Sequence, residues 1–290
     1  MEELKEIQEV AQDLRSMKQP DETVAVLNQE TAPIPLIPIK ELPSGFKGYP
    51  KGTKISFKPI TLGELESLNS GDIDVTRATA MLLKAIDCNT IPPEDLAYWD
   101  VMYIGIKRKL LAFGDTKGTI RARCPKCGTI VAKSFSNSEL EFRELDVPAL
   151  PMKLQIMDKP IEFGLITMKD MLEFQLEEGE RGIYARMMKN IPFEEAYQIC
   201  SNAYGLDIKK LRFVDEKLNY GLKPFHVNCP GTVEVPNPDF NPEQPESKTN
   251  KPFIDEVCGE QVVVEVVSPF ELVFPEDGDN EDLGFEVQYG

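Results

Sequence analysis

The stretch Gly118-Thr-Ile-Arg-Ala-Arg123-Cys124-Pro-Lys-Cys127-Gly128-Thr-Ile-Val-Ala-Lys133 places two strand-forming runs on either side of a Cys-x-x-Cys-Gly turn. A turn this tight lets two thiolates converge on one point. The glycine supplies the positive φ that the turn needs. Such a knuckle offers two ligands, whereas a structural zinc takes four in a closed tetrahedron. Redox Cys-x-x-Cys pairs usually open a helix, and here strands flank the motif, so metal binding is the better reading.

The other two ligands are expected from Cys229 and Cys258. Cys229-Pro230 echoes Cys124-Pro125, and Cys258-Gly259 echoes Cys127-Gly128. The second pair stands 29 positions apart because a Pro- and Asn-rich insertion, 235–252, separates its halves. That insertion reads as an exposed loop. The predicted centre is thus one structural Zn2+ held by Cys124, Cys127, Cys229 and Cys258. Four thiolates leave no position for water. His226, three before Cys229, is the alternative fourth ligand; it aligns with Arg121, outside the knuckle, and reads as a strand residue. Cys88 and Cys200 have no partner spacing and read as buried apolar residues.

The echo between knuckles belongs to a longer repeat. Ile55-Ser-Phe57-Lys-Pro-Ile60-Thr61-Leu62-Gly-Glu64-Leu65 stands against Ile161-Glu-Phe163-Gly-Leu-Ile166-Thr167-Met168-Lys-Asp170-Met171. Ala80-Met-Leu-Leu-Lys84-Ala-Ile86 stands against Ala185-Arg-Met-Met-Lys189-Asn-Ile191, and Leu140-Glu-Phe142 against Leu272-Val-Phe274. Matches in one order, at an offset of 105 to 106 before the insertion and 132 after it, indicate duplication. Within the first copy, Lys54–Lys58 alternates as a strand. Thr61 with Glu64 forms a capping box, and helices are expected to about residue 68, over 74–87 and over 93–113. Strands follow at 118–123, 129–135 and around 140–144. The helices at 93–113 and 192–219 are expected to supply most of the core.

The sequence therefore predicts an α+β protein of two duplicated halves. Each has helices plus short antiparallel strands, and the halves join at a four-cysteine, zinc-ribbon-like centre. Residues 34–150 hold the first knuckle and 151–278 the second, insertion-bearing one. An N-terminal acidic helix and linker (1–33) and an acidic tail (279–290) flank them. Leu4, Ile7, Val10 and Leu14 line one side of the helix at 1–19 as a thin apolar stripe, which reads as a partner-docking surface.

Composition narrows the classes. The 290 residues carry 32 basic and 49 acidic side chains, a net charge of −17, so nonspecific attraction to phosphate backbones is disfavoured. No apolar run reaches the roughly 20 residues of a membrane span, and the start lacks a signal-peptide pattern. A cytosolic protein with reduced cysteines is expected. One histidine excludes two-histidine metal motifs. Gly45-Phe-Lys-Gly48-Tyr-Pro-Lys-Gly52-Thr-Lys lacks the Gly-Lys-Ser/Thr order of a phosphate loop and reads as turns before a strand. Nothing argues for an enzyme.

Leu42-Pro-Ser-Gly-Phe-Lys-Gly-Tyr-Pro-Lys-Gly-Thr53, the strand and helix after it, the Cys124-Pro-Lys-Cys127-Gly128 knuckle and Phe142-Arg-Glu-Leu-Asp-Val-Pro148 together resemble T4-type bacteriophage baseplate hub and tail assembly proteins. The resemblance spans about residues 40–275. It implies a structural or assembly component of a contractile tail baseplate, with other baseplate or hub proteins as partners. The implied location is the host cytoplasm during assembly, or the virion tail. The alternative is a zinc-ribbon module that binds nucleic acid or the transcription machinery. Arg121, Arg123, Lys126 and Lys133 near the first knuckle favour that alternative. Glu234, Asp255, Glu256, Glu260 and Glu265 near the second oppose it.

Overall fold

Thr61 starts a helix because its hydroxyl and the Glu64 carboxylate satisfy each other's backbone N–H groups. Thr61 N–H donates to Glu64 Oε2 at 2.9 Å and Glu64 N–H to Thr61 Oγ1 at 3.2 Å. The same device recurs at Thr167 and Asp170, at 2.8 and 3.1 Å. These boxes lie in two stretches of a chain whose computed structural model describes residues 34–69, 75–238, 240 and 251–264. The predicted helix at 1–19, with Leu4, Ile7, Val10 and Leu14, lies outside the described residues, as do the linker at 20–33, Leu272-Val-Phe274 and the tail at 279–290.

The first stretch runs β1 (Ile37–Pro38), β2 (Ile55–Phe57), α1 (Leu62–Asn69), α2 (Val75–Ala85), β3 (Ile86–Cys88), α3 (Tyr98–Phe113), β4 (Lys117–Arg123), β5 (Ile130–Ser136) and β6 (Phe142–Arg143). The second runs β7 (Met152–Ile156), β8 (Lys159–Phe163), α4 (Met168–Leu172), α5 (Gly179–Met187), α6 (Phe193–Asn202), α7 (Leu206–Leu218), β9 (Gly221–Leu222), β10 (Phe225–Asn228), β11 (Thr232–Pro236), β12 (Phe253–Val257) and β13 (Gln261–Val264). The architecture is mixed α+β, with short antiparallel pairings: β1-β2-β3, β4-β5, β6-β9, β7-β8, β10-β13 and β11-β12. No helix among the described residues is long and apolar enough to cross a membrane.

Three expected helices are shorter or broken. Residues 86–87 leave α2 to form β3, which pairs with β2 through Phe57↔Ile86. The helix expected over 93–113 starts only at Tyr98, because extended Leu96 and Ala97 serve the second half. Tyr98 N–H donates to Ile166 O and Met168 N–H to Leu96 O, at 2.9 and 2.8 Å. The helix expected over 192–219 breaks at Gly205, where φ of +54° is left-handed and ends regular helix. The residues that flank the insertion pair as the β11–β12 ribbon, of which only Val235 and Pro236 lie within 235–252. The glycine-rich stretch at 45–54 forms turns before β2, with Gly45, Gly48 and Gly52 at positive φ.

Each stretch has its own apolar core. Leu82, Leu96, Val101, Met102 and Ile104 are completely buried in the first, and Ile156, Phe163 and Val214 in the second. The cores trade residues across their boundary: Met168 packs in the first, Leu145 and Val147 in the second. Two buried polar groups fix this geometry. Arg108 donates from Nε to Lys58 O at 2.7 Å and pairs with the Glu64 carboxylate of the first capping box at 3.1 Å. Asp100 is fully buried and accepts from Ser44 N–H (3.1 Å), Ser44 Oγ–H (2.5 Å) and Tyr49 O–H (2.6 Å). It thereby anchors the turn-rich entry segment to α3.

Candidate metal centre

A third, smaller core is built around sulfur. Cys124, Cys229 and Cys258 are buried and Cys127 is half-buried, packed with Val131, Val262 and Val264. In the first knuckle, Cys124 N–H donates to Thr129 O at 2.8 Å and Gly128 N–H to Cys124 O at 2.9 Å, closing the turn between β4 and β5. In the second, Cys229 N–H donates to Glu260 O at 2.8 Å and Gly259 N–H to Cys229 O at 3.2 Å, closing the junction between β10 and β13. Gly128 and Gly259 both sit at positive φ, +75° and +61°. The β11–β12 ribbon leaves from within the second turn, where Cys258 N–H donates to Gly231 O at 2.7 Å.

All four sulfurs lie within 4.8 Å of one another. Cys124 Sγ is 3.8 Å from Cys258 Sγ, and Cys127 Sγ is 3.4 Å from Cys229 Sγ. Four sulfurs at about 2.3 Å from a tetrahedral zinc stand about 3.8 Å apart, so the cluster has the dimensions of a loaded site. The four predicted cysteines are brought together and can hold a metal ion. His226 is not among them. It lies on β10 opposite Val263 and is exposed. Cys200 is buried as expected, and burial pushes its thiol up to about 11. Cys88 is only half-buried, its sulfur 3.7 Å from the Thr90 hydroxyl.

Electrostatics suit a cation. The Thr129 hydroxyl, 3.3 Å from Cys127 Sγ, and the Thr129 backbone favour the thiolate and bring Cys127 down to about 6. Burial instead pushes Cys229 up to about 12. A divalent ion changes that balance and lets all four deprotonate.

Two supporting residues escape the Cys-x-x-Cys pattern. One is Thr129. The other is Gly231, whose N–H points at Cys229 Sγ from 3.4 Å, and where a Cβ would fall 2.9 Å from Cys127 Sγ. The offset between the two knuckles could have flagged Thr129, since it occupies the position of Glu260. No family model, curated protein or solved structure matches the chain.

Proposed function

We propose that this chain is a structural or assembly protein that works through protein contacts, its two halves duplicated copies locked together by one zinc on Cys124, Cys127, Cys229 and Cys258. The observation that carries the reading is the origin of the sulfurs: two come from each stretch, on turns with the same hydrogen bonds. A metal that cross-links distant segments adds its binding free energy to folding. The paired capping boxes support duplication. So do the two strand contacts that follow the helices, Phe57↔Ile86 and Phe163↔Met188. By that criterion the counterpart of Ile86 is Met188 rather than Ile191, a slip of three within the repeat.

The resemblance of the Leu42–Thr53 segment and the first knuckle to T4-type baseplate hub and tail assembly proteins supports a role in a contractile phage tail, with baseplate or hub subunits as partners. In this reading the apolar stripe Leu4, Ile7, Val10 and Leu14 docks on such a subunit. The test is affinity isolation of tagged full-length chain and of a 33–290 truncation from infected cells, with mass spectrometry. Recovery of a baseplate or hub protein by the full chain but not the truncation, at equal zinc content, supports the reading. Recovery of nucleic acid or RNA polymerase instead supports the zinc-ribbon alternative, whose one favouring observation is the basic β4–β5 ribbon.

A further inference from the structure

The two ribbons next to the sulfur cluster carry opposite charge on faces that are exposed among the described residues. Residues 117–136 contain Lys117, Arg121, Arg123, Lys126 and Lys133 and no carboxylate, within a chain of net charge −17. The pairings Thr119↔Ser134, Arg121↔Ala132 and Arg123↔Ile130 set Arg121 and Arg123 on one face of β4–β5, whereas Lys133 pairs with Ile120 on the other face and Lys126 lies in the knuckle turn. That face is exposed throughout, Ile130 at 61%. Its opposite face, with Val131 and Phe135, is buried. Among the described residues Arg121, Arg123 and Lys126 have no ion pair; Arg123 makes only a long contact, 3.4 Å, to Gly128 O.

The β11–β12 ribbon is the complement. Residues 229–236 and 252–264 hold Glu234, Asp255, Glu256 and Glu260 and no lysine or arginine. Glu234 stands directly opposite Asp255, so two carboxylates share one cross-strand position, an arrangement that destabilises an isolated ribbon. On the same exposed face are Phe253 at 52% and Val257 at 72%. One face therefore offers two guanidinium groups beside an aliphatic side chain, and the other two carboxylates beside apolar side chains.

We propose that the β4–β5 face of one copy docks on the β11–β12 face of a second copy of this chain. Arg121 and Arg123 meet Glu234 and Asp255, with Ile130 against Val257 and Phe253. Bidentate guanidinium–carboxylate pairing gives the contact its specificity, and the aliphatic rim gives it the apolar area. Each chain keeps one face of each sign, so the contact is head-to-tail and propagates to a ring or filament. A ribbon face of about 200 Å² is far below the roughly 800 Å² per partner of a standard interface, so the isolated contact is weak. This proposal does not depend on which metal fills the sulfur cluster.

The test is sedimentation of the full chain from about 10 μM to about 1 mM. About 0.15 M salt screens the net charge over roughly 8 Å but spares contact pairs. Wild type is expected to rise in weight-average mass with concentration. R121Q/R123Q and E234Q/D255N should each associate about tenfold more weakly or not at all. Mixed one to one, the two variants retain one good face each and should stop at heterodimers. Zinc content and circular dichroism on the same samples establish that the variants are folded and report on the metal separately. A monomeric wild type at the highest concentration overturns the proposal, as does undiminished association of either variant. So does arginine-dependent binding of a labelled 20-base-pair DNA duplex by a wild type that stays monomeric, which assigns the face to nucleic acid.

Discussion

Cys127 Sγ and Cys229 Sγ stand 3.4 Å apart although 102 positions separate them in the chain. Bringing two free thiols together over that separation costs loop-closure entropy and returns little, because the thiol is a weak hydrogen-bonding group. A bound metal reverses the balance. Replacing Cys229 with serine removes one ligand and leaves three. Zinc, close to one per chain by elemental analysis in wild type, should fall well below that, and the melting temperature should drop by about 10 °C or more. Undiminished zinc in Cys229→Ser contradicts the four-cysteine site.

The second knuckle should work without its ribbon. Joining Cys229 to Cys258 through Pro-Lys, in place of residues 230–257, rebuilds the Cys124-Pro-Lys-Cys127 turn at the other end of the site. The hydrogen bonds shared with the first turn run to Glu260 and Gly259, outside the excised segment, and only those of Gly231 are lost. The shortened chain should retain zinc and melt within about 5 °C of wild type. Loss of both would mean that β11–β12 is part of the fold rather than an addition to it.

Asp100 gives a pH signature. Burial raises its carboxyl to about 6, against ~3.9 in an unfolded chain, with the Ser44 and Tyr49 hydrogen bonds partly opposing the shift. The native state holds this proton more tightly than the unfolded state. The stability due to this proton is therefore full below about pH 4 and is lost as the pH rises through about 6. Asp100→Asn has no such ionisation. Urea titrations from pH 4 to 7.5 should show wild type losing stability relative to the variant across that window and running parallel above it. Any acid-driven metal release affects both proteins and cancels in the difference. Parallel behaviour throughout contradicts the assignment.

Arg108, 4% exposed, holds the first capping box against α3. Arg108→Met removes the charge but keeps much of the stem, leaving Lys58 O without this donor and the Glu64 carboxylate without its cation. The expected cost is about 3 kcal/mol in chemical denaturation. A change under about 0.5 kcal/mol would mean that solvent replaces the guanidinium fully.

Much of this arrangement was legible in the chain because it is local. Thr61 with Glu64 announces a helix start within four residues. Cys124 to Gly128 announces a knuckle within five, and the echo at Cys229 and Cys258 extended that reading across the insertion. What stayed hidden depends on distant partners. Leu96 and Ala97 continue a good helical pattern, yet their backbone is drawn into bonds with Ile166 and Met168. Asp100 and Arg108 are charged residues on α3 whose burial only the packed structure shows. Gly231 is an unremarked glycine until Cys127 is folded against it. The ribbon at 232–236 and 253–257 was obscured by the Pro- and Asn-rich composition between its strands.

The most direct test of the central claim is zinc K-edge X-ray absorption on full-length protein purified under reducing conditions. Four thiolates from two knuckles predict a first shell of four sulfurs at about 2.3 Å with no nitrogen or oxygen. A shell with three or fewer sulfurs, one containing an imidazole nitrogen, or protein that takes up no zinc would contradict it.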